Sequence, residues 1–256
     1  MRPRQDTRGI VDPAGMMARV DFRRHLPAPA LRPFIEHYWL IDWDLEQPFE
    51  QQVVPHPSVN AVFGIYGDVR IGEIAGVGLD LFSIKLEGRG RVTAAQFRPG
   101  AFQPFSSKPL TNLRVPAEEL FPSVEFDWEA PDRVAALDAY LLALAPAQID
   151  PATARVIALV DQIRHDRSIL RVAPFARRQG MTVRQLQRLF AERVGVSPKW
   201  VILRYRIHEA LERALSDVDW AWLAAELGYS DQAHLVRDFT ATVGLSPTAY
   251  RRLLQG

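Results

Sequence analysis

The sequence of 256 residues contains no cysteine. This absence excludes a disulfide framework, a zinc–thiolate site and a thiol nucleophile, and it is typical of proteins of the reducing cytoplasm. No apolar run approaches the ~20 residues that a membrane-spanning helix requires. The first fifteen residues carry three arginines and no apolar core, so we expect no signal peptide and interpret residues 1–21 as a flexible tail.

Patterns typical of metal, cofactor or catalytic sites are also scarce. No two of the six histidines share the spacing of a helical metal site, so we predict no metal ion. The segment Gly72–Gly78 lacks the ordered glycines and the following helix of a phosphate-binding loop. Asp42, Asp44 and Glu46 resemble paired hydrolytic acids, but an exposed acidic strand edge explains them better. We therefore predict neither a cofactor nor an enzymatic activity.

Charge is distributed unevenly along the chain. Residues 1–150 hold 15 basic and 20 acidic residues, a net charge of −5. Residues 151–256 hold 16 basic and 10 acidic residues, a net charge of +6, and all but one of these basic residues are arginines. A basic half favours a polyanionic partner such as nucleic acid, although arginines that only solvate helices would produce the same count.

The first half contains short apolar runs separated by glycine and proline, which predicts β-strands. A block of many short strands is typical of a barrel or sandwich. We predict a barrel-like (cupin-like) domain over residues 22–145 that ends in a helix at Val134–Ala145, followed by a linker at residues 146–151. The predicted strands are Tyr38–Trp43, Ala61–Tyr66, Leu81–Leu86 and Val92–Phe97.

The second half contains an internal repeat. The pattern L-x-R-x-F-x4-G-x-S-P begins at Leu186 and again at Leu235, and each copy follows a short alanine-bearing helix and a glycine. This order is typical of a helix-turn-helix unit, with Thr182 and Ser230 as the expected N-caps. We therefore predict an α+β protein whose all-α domain, residues 152–256, holds two such units joined by a long helix at Pro198–Ser216.

The second helices of the two predicted units differ on the face that points away from the core. In the first unit, Arg184, Gln187 and Arg188 share that face, and these side chains make bidentate hydrogen bonds to guanine and adenine edges. The second unit offers a poorer set, which consists of Ala233, Arg237 and Thr240 with Gln232 and His234 at the margin. We therefore expect the first unit to carry more of any base specificity.

Residues 152–254 resemble the DNA-binding domain of AraC/XylS-type transcriptional regulators. The resemblance is carried by Leu223–Phe239, Gly244–Pro247 and Tyr250–Arg251. It implies two helix-turn-helix lobes that read adjacent major-groove segments of double-stranded DNA, and a contact with RNA polymerase. The DNA-binding residues expected from pattern and resemblance together are Thr182, Arg184, Gln187, Arg188, Ser230, Gln232, Ala233, His234 and Arg237.

The first half is similar, through Arg32–Trp39 and Gly90–Gly100, to the β-rich sensory domains of some members of this family. That resemblance implies a small barrel that holds a small-molecule effector or forms a homodimer. Three interpretations stay open at this point: an effector-modulated regulator, an enzyme-like β domain controlled by DNA binding, and a β domain that only dimerises. The expected effector-pocket residues are Trp39, Trp43, His56, Asn60, Phe97 and Phe102, although aromatic residues in a barrel are more often core.

Overall fold

The computed structural model describes residue 7 and residues 9–106, 110–214 and 218–255. A β-rich half is followed by an all-helical half, as the α+β prediction requires. The strands are β1 (Asp21–His25), β2 (Ile35–Val53), β3 (Asn60–Tyr66), β4 (Val69–Ala75), β5 (Phe82–Phe97) and β6 (Arg114–Pro116). The helices are α1 (Pro13–Met17), α2 (Ala117–Leu120), α3 (Arg133–Leu144), α4 (Pro151–His165), α5 (Val172–Arg178), α6 (Val183–Arg193), α7 (Pro198–Ala214), α8 (Trp220–Glu226), α9 (Gln232–Val243) and α10 (Pro247–Gln255).

The six strands form one antiparallel sheet in the order β1-β2-β5-β3-β4-β6. The sheet does not close into the expected barrel, because β1 and β6 each pair with a single strand among the described residues. The predicted strands Leu81–Leu86 and Val92–Phe97 belong to one long strand, β5, which runs through Gly90. A Cβ at Gly90 would lie 2.1 Å from the ring of Trp43, so this glycine makes room for an aromatic side chain rather than forming a turn.

The structure departs from the flexible tail predicted for residues 1–21. Ile10 and Val11 are buried, and helix α1 follows directly. The backbone N–H of Val54 donates to the carbonyl oxygen of Gly9 at 2.7 Å, which ties this segment to the end of β2. The first six residues and residue 8 of the predicted tail lie outside the described residues.

The two faces of the sheet bury different side chains, because alternate residues of a strand point to opposite faces. Tyr38, Phe63 and Phe97 point to the first face, where they join the main hydrophobic core. Trp39 and Val62 point to the second face. Both pair with Ala94 of β5, so the three residues lie in one row across the sheet. The second face borders a cavity and packs against Met16 of α1, while the first face packs against α3 and α4.

One hydrophobic core continues from the sheet into the helical half. Leu159 of α4 and Phe190 of α6 belong to the same buried cluster as Tyr38 of β2. A second cluster joins the end of α7 to α8, α9 and α10, and it takes Val11 and Val54 from the β-rich half. The first helix-turn-helix unit therefore shares its core with the sheet, whereas the second unit lies in a separate cluster to which the β-rich half contributes only a few residues.

Candidate nucleic-acid interface and ligand cavity

The first helix-turn-helix unit, here called lobe 1, consists of α5, a tight turn and α6. Gly180 lies in the turn with a φ of 66°, a left-handed conformation that glycine adopts without steric cost. Thr182 then caps α6: its hydroxyl accepts from the backbone N–H of Gln185 at 3.2 Å, and the Gln185 side chain accepts from the Thr182 N–H at 2.8 Å. This capping box confirms Thr182 as the N-cap and fixes the start of α6.

Helix α6 has one buried face and one exposed face. Leu186 is fully buried, whereas Arg184, Gln187 and Arg188 are exposed. Arg188 forms an ion pair with Glu192 at 3.9 Å, but both side chains are mostly exposed, at 74% and 62%. Such exposed pairs are weak and give way readily to a new partner. The three predicted base-reading residues of lobe 1 thus lie together on one accessible stripe.

The second unit, here called lobe 2, consists of α8, a turn at Gly228 and α9. The N-cap of α9 is Asp231 and not Ser230 as predicted, because the extra residue in this copy of the repeat moves the cap by one position. The carboxylate of Asp231 accepts from the backbone N–H of His234 at 2.8 Å, and this hydrogen bond holds the pKa of Asp231 below its ordinary value. The hydroxyl of Ser230 instead donates to Asp231 at 3.1 Å.

The outward face of α9 is poorer in long polar side chains than that of α6. Gln232, Ala233 and Arg237 are exposed, whereas His234 is half-buried. The ring of His234 lies edge-on against Tyr229, with ring centroids 5.0 Å apart. Of the five predicted DNA-binding residues of lobe 2, four are therefore accessible, namely Ser230, Gln232, Ala233 and Arg237, and His234 is partly engaged within the lobe.

Helix α7 connects the two lobes. It packs against α4 and α6 on the side of lobe 1, and against α9 and α10 on the side of lobe 2. It begins at Pro198 as predicted and extends to Ala214, while the predicted end at Ser216 lies outside the described residues. Its 17 residues span ~26 Å of α-helix. That length is close to the ~34 Å of one turn of B-DNA, which suits lobes on adjacent groove segments.

A cavity of about 780 Å³ lies against the second face of the sheet. Four of the six predicted pocket residues line it, namely Trp39, Trp43, His56 and Asn60. Phe97 and Phe102 do not: both are buried in the main core on the other face, with ring centroids 4.9 Å apart. Gln96 lines the cavity, so the two-residue period of β5 sends Phe97 to the opposite side.

One end of the cavity is polar, and we call it the polar end. Its residues are His56, Asn60 and Gln96, and the lining of the cavity also includes Gln51 and Ser58. Asn60 and Gln96 are cross-strand partners, and the indole N–H of Trp39 donates to Asn60 Oδ1 at 3.2 Å. Sequence reasoning missed Gln51 and Ser58, because no pattern marked the far end of β2 or the loop that precedes β3.

Ionisable side chains near the polar end have strongly shifted pKa values. Glu36 forms an ion pair with Arg164 of α4 at 2.5 Å. Burial alone would raise the pKa of Glu36, but the Arg164 guanidinium lowers it to about 2. Burial, followed by the nearby charge of Arg24, lowers the pKa of His37 to about 3. At neutral pH, Glu36 is therefore charged and His37 is neutral.

The polar end also contacts the helix that carries the lobes. His56 stacks on His208 of α7 with ring centroids 4.1 Å apart, and His208 Nε2 lies 3.3 Å from the carbonyl oxygen of Pro55. Arg204, one turn earlier on α7, donates to the carbonyl oxygen of Leu79 at 2.6 Å. Burial lowers the pKa of His208 well below its ordinary value, so its ring is neutral at pH 7. The wall of the cavity and α7 thus share direct contacts.

In the described part of the chain, no helix is long and apolar enough to cross a membrane. The chain matches two family models: residues 23–126 match a domain of unknown function (DUF6597), and residues 175–253 match a helix-turn-helix domain. The second match spans most of lobe 1, α7 and lobe 2.

Three solved structures are similar to parts or most of the chain. The C-terminal domain of AraT, a response regulator from Geobacillus stearothermophilus, is 24% identical with a TM-score of 0.37, and the alignment covers 41% of this chain and 87% of that domain. An AraC-type transcriptional regulator from Chromobacterium violaceum is 21% identical over 37% of this chain and 86% of that one, with a TM-score of 0.34. ToxT from Vibrio cholerae is 12% identical over 92% of this chain and 99% of that one, with a TM-score of 0.44. The family match and the repeat motifs together identify a helix-turn-helix domain in the second half of this chain, carried behind a β-rich domain.

Proposed function

We propose that this protein is a sequence-specific transcription regulator that binds double-stranded DNA through α6 and α9. The observation that supports this most strongly is the exposed stripe of Arg184, Gln187 and Arg188 on the second helix of a helix-turn-helix unit. In such units, the second helix enters the major groove and presents its outward face to base edges. Long guanidinium and carboxamide side chains are the groups that discriminate guanine and adenine there.

The charge of residues 151–256 supports the same proposal. A net charge of +6 favours the phosphate backbone, and counterion release then makes binding depend on salt concentration. Arg171 and Arg177 of lobe 1 are exposed and lie away from the stripe on α6, so we assign them to phosphate contacts. Arginines of both kinds are needed, because phosphate contacts position a protein while base contacts select the sequence.

We further propose that a small molecule in the cavity modulates DNA binding. His56 lines the cavity and stacks on His208 of α7, so a ligand that moves His56 also perturbs the helix that sets the spacing of the lobes. Leu81 also lines the cavity, and it packs in the core of lobe 2. A ligand shifts DNA affinity only through such differential contacts between two states. A homodimer and a contact with RNA polymerase, which the family resemblance implies, stay predictions.

The test of the DNA-binding proposal is selection of bound sites from a random DNA pool with the full chain. We expect two short sequence blocks about one helical turn apart, with the block read by lobe 1 the more sharply defined. Five base pairs inserted between the blocks should lower the affinity, because the half-turn places the blocks on opposite faces of the duplex. Ten inserted base pairs are the matched control, since they restore the face but not the distance. Unchanged affinity after the five-base-pair insertion would show that the lobes do not read one face together.

A further inference from the structure

The two lobes meet directly, in addition to their connection through α7. The α4–α5 loop (residues 166–171) leads into lobe 1, and its Ile169 is buried in the main core. The next residue, Leu170, reaches lobe 2: a Cβ at Gly228 would lie 2.5 Å from Leu170 Cδ1. The loop is therefore fixed in the core on one side and covers the turn of lobe 2 on the other.

The two turn glycines of the repeat differ in this respect. Both have a positive φ, 66° at Gly180 and 71° at Gly228. A Cβ at Gly180 would meet no described atom within 4 Å, whereas the space at Gly228 is occupied by Leu170. Backbone conformation alone explains the glycine of lobe 1, while the glycine of lobe 2 also makes room for a close contact between the lobes.

Arg206 of α7 holds both sides of this contact. Its guanidinium donates to the carbonyl oxygen of Leu170 at 2.5 Å. The same guanidinium lies over the ring of Tyr229, 5.6 Å from its centroid. One arginine thus binds the backbone of the α4–α5 loop and an aromatic ring in the turn of lobe 2, so the three elements are joined at one point.

Four charged side chains form a second contact between the lobes, here called the interlobe quartet. It consists of Arg167 of the α4–α5 loop, Glu209 and Arg213 of α7, and Glu226 of α8. Arg167 Nη2 lies 2.9 Å from Glu209 Oε1, and Arg167 Nη1 lies 3.6 Å from Glu226 Oε1. Arg213 Nε and Nη2 lie 2.9 Å and 3.3 Å from the same two oxygens. Each arginine therefore bridges both glutamates, and the positive and negative charges balance.

The quartet resists displacement of lobe 2 more than an isolated surface pair would. Single exposed ion pairs contribute little to stability, but networks of several charges contribute more. The side chains of Glu209 and Glu226 are only 18% and 27% exposed, and a partly buried carboxylate that loses its partners is poorly compensated. Movement of lobe 2 would separate Glu226 from both arginines, so the quartet opposes that movement.

Lobes that are fixed to each other match a single spacing on DNA. One added base pair moves a sequence block by ~3.4 Å along the duplex and turns it by ~35° about the axis. A freely hinged lobe 2 would follow this shift. A lobe 2 held by Leu170 and by the interlobe quartet follows it only if these contacts break.

We propose that Arg167 and Leu170 are positioning residues that lock lobe 2 against lobe 1 and thereby fix the spacing of the two DNA blocks. Neither residue needs to touch DNA for this role. The inference rests on the proposed function, because spacing matters only for two lobes that bind one site. The lock itself is a property of the protein alone and is measured without DNA.

The first experiment measures the distance between the lobes. Because the chain contains no cysteine, Ala191→Cys on α6 and Ala241→Cys on α9, both at exposed positions, carry two spin labels at defined places. Double electron–electron resonance then gives the distribution of the distance between the labels. We expect one narrow distribution without further changes, and a distribution at least twice as wide when Arg167→Met and Leu170→Ala are combined.

The single variant Arg167→Met, at a position that is 55% exposed, should give an intermediate width and does not depend on the folding of the combined variant. Arg178→Met is the matched control. Arg178 is 48% exposed and pairs with Asp166 at 3.0 Å, and neither residue belongs to lobe 2, so we expect an unchanged width. A combined variant whose distribution is as narrow as that of the parent would refute the lock.

The second experiment measures the spacing with unlabelled chains. Fluorescence anisotropy compares the selected DNA site with the same site carrying one added base pair between the blocks. The added base pair should weaken binding at least tenfold for the wild type and for Arg178→Met, but less than threefold for the combined Arg167→Met and Leu170→Ala variant. An equal loss for the wild type and the combined variant would refute the role of these residues in spacing.

The proposed function and the lock fail separately in these experiments. If no DNA sequence is selected, the proposed function is refuted, while the distance distribution still decides whether the lobes are locked. If the chain binds a specific site but the combined variant keeps the narrow distribution, only the positioning role of Arg167 and Leu170 is refuted.

Discussion

Arg188 of α6 provides the sharpest test of how lobe 1 recognises DNA. Its side chain is 74% exposed, and its ion pair with Glu192 is long, at 3.9 Å. Because exposed pairs of this kind contribute only ~0–1 kcal/mol, Arg188→Ala should change the melting temperature by less than about 4 °C. Any large effect of the substitution must therefore appear in DNA binding.

The size of that effect follows from the type of contact. A bidentate hydrogen bond from arginine to guanine is worth ~1–3 kcal/mol of discrimination. At about 1.4 kcal/mol per factor of ten, Arg188→Ala should weaken binding to the selected site roughly 5- to 150-fold. The preference at one base pair of the first block should relax, while binding to random DNA should fall much less. Arg177→Ala, at a position assigned to phosphate, should weaken all sequences alike and reduce the slope of log affinity against log salt by about 0.9.

Fluorescence anisotropy with selected and scrambled duplexes at several salt concentrations measures both quantities. Arg188→Lys keeps the charge but loses the planar fork, so we expect it to lose specificity while the salt slope stays unchanged. Glu192→Gln, combined with Arg188→Ala, removes the carboxylate that Arg188 would otherwise leave unpaired near DNA. If that double variant recovers the affinity, or if Arg188→Ala weakens selected and scrambled DNA equally, the base-reading assignment of Arg188 is refuted.

Two further predictions concern folding. Thr182→Ala and Asp231→Ala should each lower the free energy of unfolding by ~1 kcal/mol, because each removes an N-cap. Ser230→Ala should lower it less, because Ser230 is not the cap. Chemical denaturation measures all three variants, and an equal loss for Ser230→Ala would contradict the assigned cap. Burial lowers the pKa values of His37 and His208. As the pH falls below ~6.5, these histidines therefore become protonated in the unfolded chain while they stay neutral in the folded chain. The free energy of unfolding should therefore be highest above that pH and decrease below it by at most ~1.4 kcal/mol per pH unit for each histidine. Denaturation of the wild type and of His208→Gln between pH 4.5 and 7.5 tests this. Parallel curves of unfolding free energy against pH for the two proteins would exclude His208 as a contributor.

The sequence was most informative where one local pattern decides the structure. The periodicity of α6 placed Arg184, Gln187 and Arg188 on one exposed face, and Thr182 caps that helix as predicted. These features depend on residues within about one turn of each other, so a single sequence contains nearly all the information. The cap of α9 was misplaced by one residue, because Ser230 and Asp231 are both good N-cap types and only the actual backbone separates them.

The β-rich half was harder to predict because its structure depends on partners far along the chain. The glycines between the short apolar runs predict breaks between strands, yet Gly90 lies within β5 opposite Trp43 of β2. The same limit applied to the pocket: Trp39 and Phe97 are both aromatic residues in strands, but their positions in the register send one to the cavity and the other to the core. Which face of a sheet is covered by helices is a tertiary property that alternation alone does not define.

The core that lobe 1 shares with the sheet limits how this chain can be recombined with others. Val156 of α4 packs so closely on Gly100 that a Cβ there would lie 2.5 Å from a valine methyl group. A chimera joined at residues 146–151 would bring a foreign α4 to this surface and create both clashes and voids in the core. A junction after α7 leaves that surface intact and exchanges lobe 2, which meets the β-rich half through fewer residues, including Val11, Val54 and Leu81. We therefore expect regulators with new operators to be engineered, and to have diverged, more readily by replacement of lobe 2 than by exchange of the whole helical half.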